Sequence, residues 1–306
     1  MKSSVSIMEV CPRDGWQNLP DFIPTERKIH YIERMLDAGV QTLQVTSFVH
    51  PKAIPQLRDA ALVARTITGR YPDRTLTALV PNLHGARAAV ENGIREVNYV
   101  VSVSETHNLK NIGRTHSQSF AELQRIRREL PDLKITLGCA TTFGCPFEGQ
   151  HSLGTILRFI ERGADMGADQ LELSDTVGMG DPRLIQEVFS AVKRTFPQLP
   201  LMAHLHDTRN NGVLNCYLAL ESGADMVHTA LGGLGGCPFA PGASGNTSTE
   251  DLVYLLEKSG VRTGIDFEKI LGAARDMRRE IPGNYSGHQI HIPPEGACPG
   301  GEGRRG

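Results

Sequence analysis

Short apolar runs alternate with amphipathic segments along almost all of this chain. Residues 5–10 read as a strand, followed by the loop CPRDGWQNLPDFIP. Residues 25–37 form a helix that Thr25 caps, with Ile29, Ile32, Met35 and Leu36 at helical spacing and Gly39 at its end. Further strands are expected at 42–48, 76–80, 97–103, 135–141, 170–173, 201–206 and 226–230. Helices are expected between and after them at 55–68, 85–92, 117–130, 152–166, 182–196, 213–221 and 249–258. Ser117 and Ser152 stand at helix starts, and Pro182 suits a first helical position. A long polar loop is expected after the fourth strand.

Eight strand–helix units follow one another with no linker-like break. A repeated βα pattern implies parallel strands joined by crossover helices. Eight units close most simply as a (β/α)8 barrel of the TIM type, so the fold class is α/β. An open doubly wound sheet is the runner-up. It would want a Gly-rich phosphate turn after the first strand, and CPRDGWQ is no such turn. An extra C-terminal helix is expected at about 266–280. Residues 1–282 are thus expected to form one catalytic domain, and the Gly/Pro-rich residues 283–306 a disordered tail.

Composition narrows the function classes. Among 306 residues, 32 Lys and Arg face 34 Asp and Glu, a net charge of −2. That leaves no basic footprint for nucleic acid or an anionic membrane surface. No apolar run approaches the ~20 residues needed to span a bilayer. The N-terminus enters an apolar run almost at once, leaving no room for a leader peptide. Cys11, Cys139, Cys145, Cys216, Cys237 and Cys298 form no C-x-x-C pair. A reducing, cytoplasmic setting is the natural reading.

In a barrel the C-terminal strand ends make one mouth, where sites are built. The seventh strand ends in LMAHLHDT. Side chains alternate along a strand, so His204 and His206 point the same way and can hold one metal ion. Two polar residues leaving a core strand would look the same, but other strand ends add weight. The first delivers Arg13 and Asp14, the second Gln44 and Ser47, and the sixth Asp175. Asp14 with the two imidazoles makes a site for a hard divalent ion, to which Asn246 could add an oxygen; Zn2+ or Fe2+ would suit the same donors. Arg13 is the candidate to stabilise an enolate or carbonyl oxygen; an ion pair with Glu9 or Asp175 is its structural alternative. The last loop, GGLGGCPFAPGASGN, carries Cys237 as its one reactive side chain and has little bulk to hinder closure.

The segments MEVCPRDGWQN, TSFVHPKAIPQ, GCPFEG, SDTVGMGDP, HLHDT and GGLGGCPFAPGASGNTSTEDLVYLLE resemble the 3-hydroxy-3-methylglutaryl-CoA lyase family of metal-dependent barrel enzymes. The last is the most specific; H-x-H and R-D-G are shared across the wider superfamily. The resemblance implies Asp14, His204, His206 and Asn246 as ligands of Mg2+ or Mn2+. It implies catalytic roles for Arg13, Cys237, Asp14 and His204. It also implies substrate contacts from Arg13, Gln17, Gln44, Ser47, Asn111 and Asp175. The implied reaction is a retro-Claisen cleavage of an acyl-CoA to acetyl-CoA and acetoacetate, as in leucine degradation and ketone-body formation. The implied assembly is a homodimer.

Four mouth positions depart from the family pattern. Gln44 stands where the family has a glutamate, Ser174 replaces a glycine, Leu205 a smaller residue and Trp16 a leucine. A neutral amide cannot hold Arg13 by charge. The alternatives are a lyase for a related thioester, such as citramalyl-CoA or a longer branched 3-hydroxyglutaryl-CoA, and a silent barrel that only binds a CoA ester. A condensing enzyme is disfavoured, because such synthases usually carry a different last loop and an extra regulatory domain.

Overall fold

Eight strands pair in parallel, each with the next, and the eighth closes on the first. The computed structural model describes residues 3–236 and 245–293. The strands are β1 (Ser6–Glu9), β2 (Thr42–Ser47), β3 (Thr75–Leu79), β4 (Glu96–Ser102), β5 (Lys134–Ala140), β6 (Gln170–Asp175), β7 (Leu201–Leu205) and β8 (Met226–Thr229). Around them lie α1 (Thr25–Asp37), α2 (Ala60–Arg70), α3 (Leu83–Glu91), α4 (Glu105–Ile112), α5 (His116–Glu129), α6 (Leu153–Asp165), α7 (Pro182–Thr195), α8 (Gly212–Glu221) and α9 (Thr249–Lys258). The extra helix is α10 (Phe267–Glu280). This is the expected (β/α)8 barrel. Among the described residues, no helix is long and apolar enough to cross a membrane.

Each strand has two different faces. On β6, Leu171 and Leu173 are fully buried in the apolar core. Gln170, Glu172 and Ser174 alternate with them and are buried too. Asn98 of β4 donates to Glu172 of β6, although β5 lies between the two strands. Such a bond can only cross the barrel interior, so the polar set points inward. Gly138 of β5 makes the room: a Cβ there would lie 3.0 Å from Asn98 Oδ1 and 3.4 Å from Glu172 Oε1. Most barrels of this type fill the interior with branched apolar side chains; this one carries a hydrogen-bonded polar layer.

Local corrections have local causes. Thr25 does not cap α1; its hydroxyl donates to Asp59 (2.8 Å), which also accepts from buried Lys28 (2.6 Å). The expected helix at 55–68 is a 3-10 turn, Pro55–Leu57, followed by α2. The polar loop after β4 contains α4, whose start Ser104 caps by accepting from His107 N–H. Thr115, not Ser117, caps α5, in a reciprocal capping box with Gln118.

The tail expectation is corrected over residues 283–293. Gly287 N–H donates to Gly232 O (3.0 Å) and Ser286 Oγ to Gly233 O (3.1 Å). The backbone N–H groups of His288 and Gln289 donate to the Asp251 carboxylate, and Ile290 is buried. Composition suggested disorder because it shows no such backbone partners. Residues 294–306 lie outside the described residues.

Two buried carboxylates brace the loop after β8. Glu9 accepts from Cys11 N–H (2.8 Å), Leu231 N–H (3.0 Å) and the Thr249 hydroxyl (2.6 Å). Glu250 accepts from Gly232 N–H (3.0 Å). Burial pushes the Glu9 carboxyl up to about 7. Burial, helped by the charge of Asp251, pushes Glu250 up to about 8. A carboxyl raised on folding stabilises the folded state while protonated, and that contribution is lost as pH rises through its folded pKa. The melting temperature should therefore fall from about pH 5 to about pH 8 and level off above that. Glu250→Gln should fall by a few degrees less across that window. A variant melting curve as steep in pH as the parent's would show that Glu250 is not the group responsible.

Candidate active site

The turn after β1 is a wide one. Residues Cys11–Gly15 form a single π-helical turn with Pro12 at its start. The N–H groups of Arg13 (3.1 Å) and Asp14 (2.7 Å) both return to Val10 O. Consecutive residues thereby bury both their side chains at the mouth, a use to which π turns are often put. Gly15 is needed here, since a Cβ would lie 2.9 Å from Cys11 Sγ and 3.2 Å from Leu234 O. The turn thus packs directly against the loop after β8.

Asp14 is the hub. Its Oδ1 accepts from Arg13 Nη1 (2.5 Å) and Gln17 Nε2 (2.6 Å). Its Oδ2 accepts from Asn246 Nδ2 (2.8 Å) and faces the Nε2 atoms of His204 (3.6 Å) and His206 (3.9 Å). Burial alone would raise this carboxyl, but Arg13, the two histidines and the Asn246 amide outweigh it and hold it at about 2. Asp14 is thus an anion at any ordinary pH.

His204 lies on β7 and His206 just beyond it, where His206 bridges to Asn246. Burial pushes both imidazoles down, His204 to about 3, so both are neutral. Their Nε2 atoms point at each other 3.2 Å apart. Cis ligands of an octahedral ion with bonds of ~2.1 Å stand about 3 Å apart, so this spacing suits a shared cation. One atom each from Asp14, His204 and His206 lies within 4.8 Å of the others, and all three residues are buried. A buried carboxylate and two unprotonated imidazoles are the donor set of a divalent ion.

The other expected residues divide. Arg13 makes neither alternative ion pair; it holds Asp14 and donates through Nε to Gln44 Oε1. Gln44 therefore does grip Arg13, by an amide dipole instead of a charge, and its buried Nε2 has no hydrogen-bond partner. Ser47 is buried with an unpartnered Oγ. Gln17 is half-buried and touches Asp14. Asp175 is buried and accepts from Met179 and Gly180 N–H (2.8 Å each), so it shapes the loop after β6. Desolvation raises its carboxyl against those two bonds. Asn111 stands exposed on the last turn of α4 and makes no hydrogen bond to this cluster. Cys237 lies outside the described residues.

Reading only the strand ends passed over Glu172 and His228. Both lie one layer inside the barrel, with His228 Nδ1 3.4 Å from Glu172 Oε2. The period-two spacing of Gln170, Glu172 and Ser174 was the available signal.

Comparison with known proteins identifies the family. The family model described as HMGL-like matches residues 4–277. The hydroxymethylglutaryl-CoA lyase YngG of Bacillus subtilis is 42% identical over 279 residues, 90% of this chain and 93% of that one. The (R)-citramalyl-CoA lyase of Chloroflexus aurantiacus is 38% identical, with 89% of each chain covered. Among solved structures, an HMG-CoA lyase from Acinetobacter baumannii in complex with coenzyme A and 3-methylmalate superposes with a TM-score of 0.88. It is 39% identical and covers 95% of this chain and 98% of its own. The chain belongs to the HMGL-like family.

Proposed function

We propose that this carbon–carbon lyase cleaves 3-hydroxy-3-methylglutaryl-CoA to acetyl-CoA and acetoacetate at the Asp14–His204–His206 cluster. The observation that carries the reading is the buried donor set with Arg13 against it, in a chain 42% identical to an enzyme of that name. A divalent cation, Mg2+ or Mn2+, would be held by Asp14, His204 and His206 with Asn246 beside them. Bound there, it would polarise the tertiary hydroxyl and a carboxylate of the substrate.

The hydroxyl proton passes to the Asp14–His204 pair, and within it to Asp14, which has a second carboxylate oxygen beside the one facing His204, while the His204 lone pair would serve the cation. The C–C bond then breaks. Its electron pair moves onto the acetyl carbon, and the hydroxyl-bearing carbon becomes the ketone of acetoacetate. Arg13 sets its guanidinium against the thioester oxygen, where enolate charge develops. The Cys237 thiol returns a proton to the acetyl carbon and is reprotonated from the pair. Gln17, Gln44, Ser47, Asn111 and Asp175 are the proposed substrate contacts. The proposal includes a homodimer, as the resemblance implies, in the reducing cytoplasm to which the cysteine usage points.

A citramalyl-CoA lyase is the second reading. The 38% identity to such an enzyme and the neutral Gln44 beside Arg13 favour it. A panel of 3-hydroxyacyl-CoA thioesters with Mn2+ separates the two. The highest kcat/KM is expected for 3-hydroxy-3-methylglutaryl-CoA; a higher value for citramalyl-CoA would replace the first reading with the second.

A further inference from the structure

Below the outer cluster, a second set of donors occupies the interior polar layer. Glu172 of β6, His204 of β7 and His228 of β8 come from three successive strands. In the sheet register Ser174 lies beside His204, and His204 beside His228. One ligand atom from each of Glu172, His204 and His228 lies within 4.8 Å of the others. All three residues are buried, and His228 is only 2% exposed.

The details are those of a prepared ligand set. Neither ring nitrogen of His228 has a hydrogen-bond partner, an expensive omission in a buried group. The ring of His204 stands nearly perpendicular to that of His228, with centroids 5.5 Å apart. Its Nε2 faces Asp14 and His206, while its Nδ1 has no hydrogen-bond partner. The Glu172 carboxylate is fixed by Ser174 Oγ (2.7 Å) and by Asn98 Nδ2, the outer support that metal-ligating carboxylates usually have. Charge points the same way: among these buried groups, Asp14 and Glu172 are opposed by Arg13 alone.

We propose that Glu172, His204 and His228 form an inner site for a nitrogen-preferring divalent cation of the zinc class, whose occupation withdraws His204 from the outer cluster. Two imidazoles and a carboxylate suit Zn2+. A neutral imidazole has one lone pair to give, so His204 serves the outer cation or the inner one. Zinc would therefore displace the outer ion without entering the outer site. The proposal concerns metal binding and stands apart from which thioester the enzyme cleaves.

The test needs no substrate. Asp14→Asn removes the carboxylate of the outer cluster, and equilibrium dialysis then counts Zn2+ per folded chain. Asp14→Asn is expected to keep one zinc. Adding Glu172→Gln or, separately, His228→Gln should weaken that binding by at least about tenfold. No zinc on Asp14→Asn, or equal affinity in the double variants, overturns the inner site. A reading on the unaltered chain covers any variant that misfolds. Co2+ should give the intense visible bands of a four-coordinate ion and release bound Mn2+. Weak six-coordinate bands alone would overturn it.

Discussion

Asp14→Asn should lower thioester turnover by about 10³-fold at saturating Mn2+ and weaken Mn2+ binding as well. The reason lies in the charge balance of the mouth. Among the described residues, Asp14 is the only carboxylate within 4 Å of the facing His204 and His206 nitrogens, and both imidazoles are neutral. Asparagine preserves the shape but removes the negative charge, and with one acceptor oxygen in place of two it cannot accept from both Gln17 and Asn246. It also leaves Arg13 without its carboxylate partner, an uncompensated buried cation. Both effects push a dication out. Turnover assays and the Mn2+ paramagnetic signal check the two halves separately. Turnover within tenfold of the parent would remove Asp14 from the centre of the reaction.

Arg13→Met should also cost about 10³-fold in kcat, but with the opposite effect on the metal. Losing the guanidinium removes the group set against the developing enolate. It also removes the cation that competes for Asp14, so Mn2+ should bind as tightly as before or more tightly. The two variants thus look alike in kcat and differ in metal affinity. Mn2+ titration of both separates a ligand from an electrophile. A parallel loss of metal binding in Arg13→Met would mean that Arg13 acts by shaping Asp14, not by meeting the substrate. Gln44 makes the expectation sharper. It holds Arg13 Nε through an amide oxygen, so no second carboxylate steadies the guanidinium there.

Much of the barrel was legible because most strands carry one apolar face and most helices announce their starts. Ser152 and Pro182 do what their residue types suggest at the heads of α6 and α7. His204 and His206 were legible because strand geometry puts alternate residues on one side. Asp14 was legible because it follows an apolar run at a barrel mouth. What escaped was set by partners distant in sequence. Thr25 looked like a cap, but Asp59 claims its hydroxyl. Residues 283–293 looked unstructured, but Gly232, Gly233 and Asp251 receive them. The inner polar layer was hidden because both faces of a barrel strand are buried. Only the bond from Asn98 to Glu172, across the gap that Gly138 leaves, shows which face is which.

On the proposed reading, this chain breaks a C–C bond of a 3-hydroxyacyl-CoA at a metal cluster centred on Asp14. The most direct measurement incubates the purified chain with 3-hydroxy-3-methylglutaryl-CoA and quantifies both products. It is made once with Mn2+ and once after chelation. One acetyl-CoA and one acetoacetate per thioester consumed, lost on chelation and restored by added Mn2+, is the predicted result. No cleavage with Mn2+ present, or cleavage indifferent to chelation, would contradict it.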